Sequence, residues 1–115
     1  MSAESPATGV EESTREWLLV GDAAIRWQAR RDLLGEPAEA YASDRAAVST
    51  SGWGQRLLDQ QSSDGTWGGG LYGPKWTSTN YTLLLLRSCG LDPADPCARR
   101  GVERLWEGAR YFDGA

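Results

Sequence analysis

The chain contains no histidine. That absence removes Ser–His–Asp hydrolysis, histidine general bases and histidine-ligated metal at once. Cysteine is scarce, with Cys89 and Cys97 the only two. The N-terminus lacks the basic-then-apolar layout of a secretory signal, so reduced thiols and a cytoplasmic location are expected. Long hydrophobic runs are missing too. The longest, Tyr81 to Leu86, falls far short of the roughly 20 residues that span a bilayer, so no transmembrane segment is expected. Nor is there a basic block. The formal charge is −4 and the arginines are scattered singly or in pairs, which disfavours nucleic acid as a partner.

What the 115 residues do hold is enough for one small domain with a modest core, and they include six tryptophans. The densest stretch is Gln60-Gln61-Ser62-Ser63-Asp64-Gly65-Thr66-Trp67-Gly68-Gly69-Gly70, between two helical patterns. Gln61 lies where a helix runs out, and its amide could satisfy that helix's own carbonyls or bridge to a neighbour's first turn. Asp64-Gly65 is turn chemistry, Asp folding onto nearby amides and Gly supplying a positive φ. Trp67 has a broad apolar face and one N–H donor, suited to covering the turn. A loop with an aromatic lid would account for the same residues.

Along the chain, residues 1–12 are Ser, Ala, Glu, Pro and Gly without periodicity, a disordered lead. Residues 13–115 read as an all-α helical domain. Ser13 or Thr14 caps a short helix with Trp17, Leu18 and Leu19, ended by Gly21. Asp22 caps a second helix, Ala23 to Leu34, whose apolar stripe has Trp27 at its edge and whose arginines form a solvated face. Gly35 stops it, and Glu36-Pro37 starts a third that continues to about Thr50. Ser51-Gly52 kinks or breaks the pattern before Trp53, Leu57 and Leu58. After the central loop, Thr77 or Ser78 caps a helix to Cys89. Its four consecutive leucines predict burial on most sides. Asp95 caps a last helix with Pro96 at its first position, ending near Gly108.

The pattern Gln-x-x-x-Gly-x-Trp after a helix, carried by Gln61, Gly65 and Trp67 with Asp64 before the glycine, resembles the QW motif of the squalene cyclase and prenyltransferase superfamily. The resemblance covers about Trp53 to Gly114 and is most specific from Gln61 to Leu86. It implies helical-hairpin repeats of an α/α toroid, in which such Gln and Trp residues tie adjacent repeats together. It also implies that a complete relative holds an apolar or isoprenoid substrate in a central cavity. A fainter second copy aligns Arg104-Leu105-Trp106 with Arg56-Leu57-Leu58 and Asp113-Gly114 with Asp64-Gly65. There Ala109 and Arg110 stand where Gln is expected, and the chain ends before any Trp, so a partial member of a longer family is expected.

The family's chemistry is not assembled here. Its cyclases start with an Asp-rich acid motif that this sequence lacks, and its zinc enzymes use a histidine. Cys89, Cys97, Asp92 and Asp95 follow no established zinc spacing, and no cofactor is expected. Gly68-Gly69-Gly70 with Lys75 and Thr77 lacks the order of a phosphate loop. Lys75, Trp76 and Asn80, at the start of the helix expected to face a cavity, are the best candidates for contacting a ligand, though packing explains Trp76 at least as well. A noncatalytic helical-repeat interaction module is the rival function. Either way, a chain encoding only part of a ring should leave apolar surface open and self-associate.

Overall fold

The computed structural model describes residues 11–112, with side chains up to Gly108. The fold is all-α. In chain order come α1 (Glu12–Leu19), α2 (Ala23–Gln28), α3 (Ala38–Ala46), α4 (Gly52–Asp59), α5 (Thr79–Cys89) and α6 (Pro96–Phe112). A π-helical turn, Ala29–Leu33, prolongs α2, and a 3-10 turn, Ala47–Ser49, prolongs α3. The expected second helix is therefore one continuous rod to Leu33 whose last turn is wound more loosely. Residues 1–10, most of the expected lead, lie outside the described residues.

Three polar clamps join helices that the sequence separates widely. The first is Asp22. Its Oδ2 accepts the Ala24 N–H at 3.0 Å and its Oδ1 accepts the Trp53 N–H at 2.9 Å. One carboxylate thus caps α2, as its position predicts, and also serves the first turn of α4, fixing both helix starts together.

The second clamp holds the end of α5. Trp27 Nε1 donates to the Cys89 carbonyl at 2.7 Å, Gln28 Nε2 to that of Ser88 at 3.1 Å, and Arg45 Nε to that of Gly90 at 3.1 Å. These carbonyls have no partner within the helix, so α2 and α3 supply one. Gly90 is left-handed at φ 95°, and a Cβ there would sit 2.2 Å from the Trp27 ring. Trp27 is consequently 3% exposed rather than at the edge of its stripe. The one-sided pattern of α2 could not reveal this, because the partner lies on a helix some sixty residues on.

The third clamp is the central loop. Gln61 Nε2 donates to Gly65 O at 3.0 Å and to Cys97 O, in the first turn of α6, at 2.8 Å. Asp64 Oδ1 accepts from the Thr66 hydroxyl and backbone N–H, which draw its carboxyl below the usual carboxylate range. Trp67 is 2% exposed. Its Nε1 donates to Leu57 O of α4 at 2.7 Å, and its backbone N–H donates to Thr79 Oγ1 at the start of α5 at 2.8 Å. A Cβ on Gly101 would lie 2.9 Å from Cζ3 of the Trp67 ring, so that glycine lets α6 settle directly on the indole. Trp67 meets α4, α5 and α6 at once.

Several boundaries differ from the sequence reading. The first helix begins at Glu12 with Glu11 as its cap residue, so Ser13 and Thr14 fall inside the first turn. Ser78 precedes α5 as expected, yet its hydroxyl donates to Lys75 O at 3.2 Å and stabilises the loop instead of the helix. Pro96 opens α6 and Asp95 Oδ1 accepts the Cys97 N–H at 2.9 Å, as expected. That helix nevertheless continues through Gly108 to Phe112. A Cβ on Gly108 would lie 2.0 Å from Leu71 Cδ1, so this glycine serves close packing and not termination.

Truncating a buried tryptophan typically costs about 3–5 kcal/mol, and losing a side-chain hydrogen bond about 0.5–1.5 kcal/mol. Trp67→Ala should therefore lower the thermal midpoint strongly and Gln61→Ala less so, as measured by circular dichroism melts. An unchanged midpoint for Trp67→Ala would remove the clamp from its structural role.

Candidate functional site

The helix α5 separates two apolar grooves. Its leucine run divides between them, because consecutive residues on a helix point about 100° apart. Leu85 and Cys89, one turn apart, line the first groove with residues of α1, α2 and α4. Leu83 and Leu84 line the second, with Val102 and Leu105 of α6 opposite. Leu86 is buried beneath, 1% exposed. The expected burial of α5 on most sides is thus corrected: Leu84 and Leu85 are 47% and 50% exposed, since among the described residues no helix covers the two grooves.

The first groove encloses about 720 Å³, within the range of small-molecule sites. Trp17, Ile25, Trp53 and Leu57 form its walls with Leu85. Trp17 and Trp53 are both largely exposed, with Arg56 stacked over the Trp53 ring at 5.2 Å. Two of its lining groups carry chemistry. The Asp22 carboxylate spends both oxygens on backbone N–H groups, which leaves it a structural anchor. Burial, and secondarily the Asp22 charge, push the Cys89 thiol above its ordinary value, so it is protonated and weakly nucleophilic at neutral pH. The walls offer apolar contact and shape.

The three candidate ligand contacts do not form one site. Lys75 and Trp76 lie on the exposed loop before α5, the lysine Nζ 4.8 Å from the centre of the Trp76 ring. Trp76 packs edge-on against Tyr81 at 5.3 Å, and the Tyr81 hydroxyl pairs with that of Tyr72 at 2.8 Å, which raises the Tyr81 pKa. Asn80 instead faces the second groove. Of the motif residues, Gln61, Asp64, Gly65 and Trp67 come together in the third clamp and none lines either groove. Cys89 and Cys97 are free thiols, and among the described residues no cluster of three metal-ligating side chains occurs. No described helix is long and apolar enough to cross a membrane.

Sequence reading missed Trp53, Ile25 and Leu85 as groove walls. The available signal was an excess of large apolar side chains on helices too short to bury them all. Comparisons with protein-family models, with characterised proteins and with solved structures give no match to this chain.

The Cys89 thiol has a higher pKa folded than unfolded. Its contribution to stability is therefore intact below the ordinary thiol pKa and is lost as pH rises through the folded value. In Cys97→Ser protein, iodoacetamide should alkylate Cys89 more slowly at neutral pH than it alkylates a cysteine in an unstructured peptide. Equal rates would show that the thiol is not shielded.

Proposed function

We propose that this chain is a helical-hairpin unit of a squalene cyclase/prenyltransferase-like assembly, and that it holds an apolar, isoprenoid-like ligand in the first groove. The observation that carries this reading is the groove itself: open, about 720 Å³, and walled by Trp17, Ile25, Trp53 and Leu85. Flat indoles and branched aliphatic chains suit methyl-branched hydrocarbon, which gains from burial against them without demanding polar partners. The tie between Gln61 and the first turn of α6 supports the family reading, since the resemblance assigns these residues to joining one repeat to the next. The unit binds and shapes; no catalytic role is assigned to its residues.

A second reading is an interaction module that uses the outer face of α6. It is favoured by Trp106, which is 69% exposed on that helix and lines neither groove. In that case the bound species is a protein, or a second copy of the chain.

Farnesol, added to the full chain, should shift tryptophan fluorescence saturably to the blue, as Trp17 and Trp53 leave water, and protect Cys89 from alkylation. Burial of one large apolar side chain is worth about 1.5–3 kcal/mol, so Leu85→Asp or Trp53→Ala should weaken binding roughly tenfold or more. Both positions are half or more exposed, so the variants are expected to fold. Farnesol that fails to bind, or binds both variants as tightly as the wild type, rejects the ligand reading. Concentration-dependent light scattering abolished by Trp106→Ala would support the interaction module in its place.

A further inference from the structure

The second groove differs from the first in one respect: it is apolar along its length and cationic at one end. On α5, Asn80, Leu83, Leu84 and Arg87 follow the i, i+3, i+4, i+7 spacing of a single helix face. On α6, Val102 and Leu105 close the opposite wall, and the enclosed space is about 440 Å³. The stripe from Asn80 to Arg87 spans about 10 Å at the rise of an α-helix. The polar groups therefore sit at its ends, with leucine between them.

At the Arg87 end the groove is also lined by Arg45 and Asp92. Arg87 makes no ion pair among the described residues. Arg45 is held in place by its Nε bond to Gly90 O at 3.1 Å and by stacking over Trp27 at 4.9 Å. Its two terminal nitrogens have no hydrogen-bond partner among the described residues, so they remain available to a ligand. Asp92 is partly engaged, its Oδ1 accepting the Ala94 N–H at 2.9 Å. Two guanidiniums against one carboxylate leave this end net positive. Guanidinium groups recognise carboxylates through strong charge-assisted bonds.

We propose that the groove between α5 and α6 binds a single-chain carboxylate amphiphile, its tail along Leu83, Leu84 and Val102 and its carboxylate at Arg87 and Arg45. The site is separate from the groove assigned above to an isoprenoid-like ligand, and the inference stands whether or not that assignment does. Neutral hydrocarbon would fill the same channel and leave the cationic end unpartnered.

Calorimetric titration of the full chain with decanoate below its micellar concentration, and with decanol, tests the proposal. Decanoate should bind more tightly than decanol. Arg87→Gln should weaken decanoate roughly tenfold, the worth of one charge-assisted bond, and leave decanol unchanged. Arg87→Lys should recover part of the loss, and Leu84→Glu, at a half-exposed position, should abolish decanoate binding while circular dichroism shows an intact helical fold. Leu85→Asp, which alters only the first groove, should leave decanoate affinity as it was. No decanoate binding, equal affinities for the two probes, or an unaltered decanoate affinity in Arg87→Gln would overturn the proposal.

Discussion

The buried indole of Trp67 is the constraint on which the rest of the described structure depends. A tryptophan can be fully buried at low cost only if its N–H finds an acceptor. Leu57 O, in the last turn of α4, provides one while also accepting the Gln60 N–H. That single bond sets where α4 ends relative to the loop, and the ring then becomes the floor on which α6 rests at Gly101. Gln61 completes the joint from the same loop by reaching the Cys97 carbonyl in the first turn of α6. Two helices, α4 and α6, are thus located by two side chains six residues apart.

Trp27 repeats this solution at the far end of α5. Its N–H satisfies the last turn of α5, and Gly90 provides the left-handed turn against the ring. Helix ends are where a short-helix protein is most exposed to unpaired backbone groups, since each end leaves up to four of them. This chain meets that demand with long polar side chains from distant segments, including Asp22, Gln28 and Arg45. The helix ends are thereby tied to one another. The apolar faces between the joints stay open, and α5 carries two of them.

Those open faces are chemically unequal. The groove beside α1, α2 and α4 has aromatic and aliphatic walls, with its one carboxylate occupied and its one thiol protonated. The groove beside α6 adds a cationic end to an aliphatic channel. Four leucines in a row serve both, since the turn of the helix deals them to different sides. A run that reads as uniform burial in one dimension becomes two half-covered surfaces in three.

The sequence by itself determined the helical class, most of the helix boundaries, and the local chemistry of the loop. Asp22, Asp95 and Gly90 cap or stop helices through contacts within a few residues, and such short-range rules can be read from spacing. Gln61 and Trp67 were legible as a candidate joint, because a Gln amide after a helix can pair with backbone carbonyls and an indole N–H needs an acceptor when it is covered. What only the tertiary structure decided depends on pairs distant in the chain. The burial of Trp27 awaited the end of α5, and the continuation of α6 past Gly108 awaited Leu71. Asn80 parted from Lys75 and Trp76 because the first turn of α5 faces the second groove while the loop before it lies on the surface. Groove walls drawn from α1, α2, α4 and α5 leave no pattern in any one segment, since a helix's periodicity states that it has an apolar face without stating what that face meets.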